Sequence, residues 1–178
     1  YVQSGVERGL PNRYKCRTRT PWFRVPYVRK PDLFLTYMSH ISPRLAVNEA
    51  KATHTNTVHG VFLVNPFLAE PLAAAFLNSA TLLSVEIEGR SYGGGVLKLE
   101  PGEAVKVLVP RLTPKVIEAL HIQMPRIDRL VREGKVDEAS VVVDRIVLGK
   151  NFRISEIEKI RSVLSALRSR RMTRGRTS

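Results

Sequence analysis

The chain has 178 residues, 43% of them hydrophobic and 25% charged, which allows one sizeable core and is ordinary for a globular protein. Its formal charge of +13 is not ordinary. A single cysteine, Cys16, excludes an internal disulfide framework and fits a reducing compartment, and no apolar run approaches the roughly 18 residues a membrane span needs.

A cytoplasmic location without a membrane partner is therefore the expectation. There is no short apolar core behind a basic start, so no signal peptide is read. The chain opens on Tyr1 in sequence that already reads as structured, and it is expected to be part of a longer polypeptide. The charge is unevenly spread. Residues 1–60 hold 10 Lys and Arg against 3 Asp and Glu, residues 150–178 hold 9 against 2, and residues 61–149 hold 10 against 11. An excess confined to the two ends is expected of a surface built for a polyanion.

The first distinctive stretch is "RYKCRTR", residues 13–19, with Arg13, Lys15, Arg17 and Arg19 at alternate positions. On a β-strand these four would share one face at a spacing of about 6.7 Å, with Cys16 on the other. Such a strand is either a solvated edge protected by its charges or a face for a row of anions. Residues 12–63 continue as short strands between turns: "WFRV" (22–25), "LFLTYM" (33–38), "RLAV" (44–47) and "TVHGVFLV" (57–64). "PLAAAFLNSATLLSVEI" (71–87) switches to helical spacing, opened by Pro71 and expected to end near Gly89.

Glycines 93–95 permit positive φ or close backbone approach, and "VLKL" (96–99) resumes as strand. Beyond Pro110 the chain reads as helical. Thr113 and Pro114 suit an N-cap and first turn, a further segment follows Pro125, and "VDEASVVVDRIVL" (136–148) precedes Gly149. The last helix shows Ser155 and Glu158 in capping-box spacing and an apolar stripe of Ile157, Ile160, Val163, Leu164 and Leu167, before a basic tail, "TRGRTS". The fold expected is α+β: a β-rich, mixed or antiparallel domain over residues 1–112 with one long internal helix, then a helical section over 113–178.

Catalytic constellations are not found in the sequence. "YGGGVLKL" lacks the Lys-Ser/Thr ending of a phosphate loop, and its glycines lie between helix and strand, the reverse of a dinucleotide fingerprint. Four histidines (His40, His54, His59, His121) without His-Glu-x-x-His spacing do not suggest a metal site. A nuclease built around Asp32, Glu49 and the histidines has no spacing in its favour. Asn48, Thr55 and Asn56 are suited to reading base edges, although for any single one of them bonding turns and strand ends is the more ordinary role. Trp22, beside Arg24, is suited to stacking on a base or anchoring a core. Arg90 could hold a phosphate or pair with Glu88 or Glu100.

In order, "RYKCRTRTPWFRVP", "PDLFLTYMSHISPRLAVNEAKATHTNTVHGV" and "AAAFLNSATLLSVEIEGRSYGGGVLKLEPGEAVKVLVP" resemble the C-terminal portion of bacterial N6-adenine DNA methyltransferases of the restriction–modification type. In these proteins a catalytic domain comes first and a target-recognition domain follows. The resemblance covers residues 1–112; the helical remainder fits more loosely. The family's catalytic domain binds S-adenosylmethionine and carries Asn-Pro-Pro-Tyr/Phe, neither of which is in this chain; "VNPFL" (64–68) lacks the second proline.

The resemblance implies sequence-specific duplex DNA binding by a chain with no catalytic residues and no cofactor of its own, S-adenosylmethionine belonging to the missing domain. It further implies double-stranded DNA, an N-terminal methyltransferase domain and a restriction endonuclease as partners. It turns the 13–19 comb toward DNA backbone and makes Arg13, Lys15, Arg17, Arg19, Trp22, Arg24, Asn48, Thr55, Asn56 and Arg90 the candidate DNA contacts. The alternative from another class is an RNA-binding or ribosome-associated basic protein. Arg168, Arg170 and Arg171 on the last helix are expected to meet the catalytic domain or a second subunit, if that helix is an interaction element.

Overall fold

The computed structural model describes residues 1–24 and 29–174. It is an α+β structure in which short strands are outweighed by helices. The chain begins with α1 (Val2–Glu7), a 3-10 turn at Leu10–Asn12 and α2 (Tyr14–Arg17), which pack chiefly on one another. The expected strand over 13–19 is therefore a correction. Pro11 is the second residue of the 3-10 turn, and the backbone carbonyl of Arg13 then accepts from both Cys16 N (2.8 Å) and Arg17 N (3.0 Å). With no neighbouring strand to pair with, the peptide groups are satisfied locally, and the alternation of faces is lost. "WFRV" is likewise a turn as far as it is described, closed by Arg24 N donating to Pro21 O at 2.9 Å; Val25 lies outside the described residues.

The other expected strands are found but are two to four residues long, and one more, β5 (Arg90–Tyr92), is not expected from the sequence. β1 (Leu33–Thr36), β3 (Leu45–Val47) and β4 (Val58–Val61) form an antiparallel sheet in the order β3-β1-β4. "LFLTYM" breaks at Tyr37, whose carbonyl accepts from Leu99 N at 2.9 Å. Past that break β2 (Met38–Ser39) joins β5 (Arg90–Tyr92) and β6 (Val96–Lys98) in a second antiparallel sheet, order β2-β6-β5. One stretch of sequence thus supplies a strand to each sheet.

The helix expected over 71–87 is two helices, α3 (Ala69–Ala75) and α4 (Ser79–Glu88), bent by 86°. Asn78 causes the break. Its Oδ1 accepts from Thr81 N (2.9 Å) as the N-cap of α4, while its Nδ2 donates to Ala75 O (2.7 Å) at the end of α3. One buried side chain thus satisfies orphan groups on two helix ends, where a continued helix would leave the amide without partners. α4 ends at Gly89 as expected. After α5 (Pro101–Ala104), α6 (Pro114–Arg132) is capped by Thr113 and runs straight through Pro125, which does not begin a new helix. Gly134 then takes φ 77, with Gly134 N bonding Val131 O (3.1 Å) and Lys135 N bonding Leu130 O (2.8 Å), a left-handed stop before α7 (Val136–Val147).

α8 (Ile154–Arg174) starts one residue before the expected cap. The carboxylate that closes its first turn is Glu156, accepting from Arg153 N at 2.7 Å, in place of the Ser155–Glu158 pair. Of its expected apolar stripe Ile157 and Leu164 are buried and Val163 is exposed, while Arg168 and Arg171 complete the buried face.

Two cores result. One gathers Ala74, Ala75 and Leu77 with residues of α6, α7 and Ile157; the other gathers Leu35, Phe76, Leu82, Val85, Leu97 and Leu99 with Leu164. Residues on both sides of position 112 share both cores. No single helix is long and apolar enough to cross a membrane among the described residues.

α8 is pinned over these cores by three arginines. Arg161 Nε donates to Asp144 Oδ2 (2.7 Å), and Asp144, fully buried, also accepts from Ser79 N (2.7 Å) at the start of α4. Arg168 bonds Asp137 and lies 3.7 Å from Glu86. Arg171 grips both Glu86 oxygens (3.0 and 2.9 Å) and donates to the carbonyls of His40 (2.9 Å), Ile41 (3.2 Å) and Gly95. Truncating one member of a buried ion pair leaves a desolvated charge alone. Arg171→Met is therefore expected to cost about 3–5 kcal/mol in urea unfolding. Arg170→Met, at an exposed neighbour, should stay within about 0.5 kcal/mol.

Candidate nucleic-acid interface

Residues 8–30 contain eight Lys and Arg and no acid. Arg13, Lys15, Arg17 and Arg24 are exposed on the short α1–α2 segment and the turn after it, and Arg19 is half-buried, donating to Arg24 O at 3.3 Å. Among the described residues, no cation of residues 1–60 takes part in an ion pair. The C-terminal cations differ: Arg153, Arg161, Arg168 and Arg171 are all matched to carboxylates. Four of the nine cations of residues 150–178 are thus matched to carboxylates within the chain. α8 turns three arginines into the molecule, where Arg161 meets buried Asp144, Arg171 meets buried Glu86, and Arg168 lies between Glu86 and the exposed Asp137.

Trp22 is an anchor of the N-terminal segment. A Cβ on Gly5 would come 2.5 Å from its ring, so glycine is what lets α1 lie against the indole. Phe23, edge-on to it at 5.7 Å, is the more exposed ring. Asn48 is fully engaged: Nδ2 donates to Pro31 O (2.7 Å) and Ala52 O (2.9 Å), and Oδ1 accepts from Ala52 N (2.9 Å). The turn-forming reading of Asn48 is the one realised. Thr55 and Asn56 are exposed in the loop between β3 and β4.

Arg90 pairs with Glu103 rather than with Glu88 or Glu100, and its side chain is 71% exposed. Pairing register sets Arg90 opposite Lys98 and Lys98 opposite Met38, so the three form one row across the second sheet. Lys98 bonds Glu100 at 2.7 Å and sits 5.2 Å from the Tyr37 ring and 5.3 Å from the Tyr92 ring. Sequence reasoning missed Tyr37, Tyr92 and Lys98, because only the break at Tyr37 turns that ring toward β6. The row carries as many carboxylates as cations, so its charge is balanced, unlike that of residues 8–30.

Gly94 and Gly95 have φ of 71 and 73, and a Cβ on Gly95 would come 3.0 Å from Met172 Cα, so glycine at that position lets the turn pack against α8. An open groove of about 610 Å³ beside β3, α3 and α6 is lined by Glu49, Glu70 and Asp128 against Arg44 and Arg132, an unfavourable balance for a polyanion. Asp32 accepts from Leu63 N (2.7 Å) and His59 Nε2 bonds Leu99 O (2.7 Å), so both take part in local structure. Among the described residues no group of three or more His, Cys, Asp or Glu is placed to hold a metal.

The Lys98 and Tyr37 hydrogen bonds hold the Glu100 carboxyl below the ordinary glutamate range. A lowered folded-state value means the stabilisation is complete above the unfolded pKa and disappears as pH falls through the lowered one. In a carboxyl-resolved NMR titration Glu100 should therefore protonate below an ordinary glutamate, and Lys98→Ala should raise its midpoint.

A family model of the C-terminal domain of the Type II methyltransferase M.Eco57I matches residues 1–148. Among curated proteins, the Type II methyltransferase M.XamI of Xanthomonas campestris pv. amaranthicola is 32% identical over 108 residues, 58% of this chain and 20% of that protein. The Type II methyltransferase M.AccI of Acinetobacter calcoaceticus is 24% identical over 110 residues, 60% of this chain and 20% of that protein. The matched region spans about a fifth of the length of each relative. No solved structure matches.

Proposed function

The chain belongs to the M.Eco57I C-terminal-domain family of Type II methyltransferases, and from that premise we propose that it docks duplex DNA and selects the target for an adenine-N6 methyltransferase. The observation that carries the reading is the contrast in pairing: eight cations between residues 8 and 30 without an acid among them, against a C-terminal helix whose inward arginines are neutralised. Unpaired, exposed guanidinium and ammonium groups release counterions when they meet phosphate, which supplies affinity without sequence information. Selection must then come from neutral polar side chains held nearby.

Methyl transfer from S-adenosylmethionine belongs, on this reading, to polypeptide outside these 178 residues, joined through the N-terminal side. A flipped adenine needs a pocket of its own, and the sequence offers no such motif. The partner endonuclease of a restriction–modification pair would read the same DNA site independently, in the cytoplasm with the genome. The similarity to methyltransferases favours this account over an RNA-binding or ribosome-associated one.

Duplex binding should weaken steeply with salt, with a log–log slope near −4.5 if about five phosphates are neutralised. Replacing Arg13, Lys15 and Arg17 together by alanine should reduce the slope by about 0.9 per cation removed. An unchanged slope, or stronger binding to structured RNA than to duplex DNA, would contradict the proposal.

A further inference from the structure

Between β3 and β4 the chain leaves the first sheet for ten residues, 48–57, and two side chains decide where that excursion goes. Asn48 closes its start through the three bonds to Pro31 and Ala52, with Lys51 between them at φ 49. Both functions of the Asn48 amide are thereby used. Farther on, His54 turns inward. Its ring lies over Gly60, where a Cβ would come 2.5 Å from Cε1, and meets Phe34 edge-on at 5.7 Å. Phe34 and Gly60 are direct partners across β1 and β4, so glycine leaves a gap in the sheet face that the imidazole fills. His54 Nδ1 is buried without a hydrogen-bond partner, so the ring is held by packing rather than by a bond through that nitrogen.

On either side of this anchor Thr53, Thr55, Asn56 and Thr57 are exposed. They offer neutral donors and acceptors with no carboxylate among them. The bond from Asn48 to Pro31 O ties the loop to the adjoining Arg29 and Lys30, both exposed. The nearby acids point elsewhere: Asp32 accepts from Leu63 N, and Glu49 lines the groove it shares with Arg132. The result is a tip rich in hydroxyl and amide groups with cations at its base. An amide can bond an adenine edge in two places, threonine can meet a thymine methyl, and flanking cations suit the phosphates beside a groove.

We infer that the 51–57 loop, flanked by Arg29 and Lys30, reads base edges in a DNA groove, and that His54 and Asn48 are the positioning residues that hold it there. The inference rests on the docking reading above, but it separates selection from docking. Docking lies in the 8–30 cations; selection lies in a loop whose placement depends on one ring over one glycine.

The test is selection from a pool of randomised duplexes by the 178-residue chain, with thermal unfolding and the salt slope measured in parallel. The chain should enrich one short sequence. His54→Ala should lose discrimination by about tenfold or more, the scale of a single base pair, while unfolding temperature and salt slope stay near those of the parent. Gly60→Ala should reproduce that loss from the other side of the contact. His54→Phe, which fills the same gap without burying an unpartnered nitrogen, should retain discrimination. Enrichment of the same sequence to the same degree by His54→Ala would overturn the inference. Salt-dependent binding by the parent with no sequence enriched would overturn it and leave the docking proposal standing, whereas absence of duplex binding would remove both.

Discussion

Glu86 leaves α4 with its side chain 4% exposed, and a carboxylate removed from water costs several kcal/mol unless it is both paired and hydrogen-bonded. Arg171 answers that demand from the far end of α8, and the rest of the architecture follows from the match. The planar guanidinium spans both Glu86 oxygens, leaving donors directed at the carbonyls of His40, Ile41 and Gly95. One side chain therefore joins α8, α4, the segment after β2 and the glycine turn before β6. The positive φ at Gly95 lets that turn come against the α8 backbone. Arg161 and Asp144 repeat the device nearer the start of α8, with Ser79 N as the third member.

This constraint divides the cations into two populations. Net charge counts them alike, but their environments differ: Arg161, Arg168 and Arg171 of α8 meet carboxylates, while among the described residues those of 8–30 meet none. The cationic segment is built of short local turns anchored by Trp22 on Gly5, and the polar 51–57 loop is fixed to the first sheet by His54 and Asn48. On the proposed reading, the anchored polar loop would supply selection and the exposed cations would supply docking.

Local signals in the sequence were faithful where the partner lay close by in the chain. Thr113 and Pro114 start α6, Gly89 ends α4, and β1, β3 and β4 lie within their hydrophobic runs because capping and strand punctuation act over a few residues. Signals failed where the deciding partner was remote or missing. The 13–19 alternation has no strand to pair with and coils locally. Asn78 breaks a helix-like run because it serves both helix ends, which periodicity does not register. Arg168 and Arg171 read as surface charge because their carboxylate, Glu86, lies more than 80 residues away. Among the candidate contacts, the turn-bonding role of Asn48 was legible, because asparagine bonds nearby backbone. The exposure of Thr55 and Asn56, the pairing of Arg90 with Glu103 and the anchoring role of His54 emerge only from tertiary placement.

The division of the cations is tested most directly by arginine-selective modification with phenylglyoxal, mapped by mass spectrometry with and without duplex DNA. Arg13, Arg17 and Arg24 should react freely in the unbound chain and be protected by duplex, while Arg161, Arg168 and Arg171 stay slow in both states. Protection confined to α8, or equal reactivity at Arg171 and Arg13 in the unbound chain, would contradict the account.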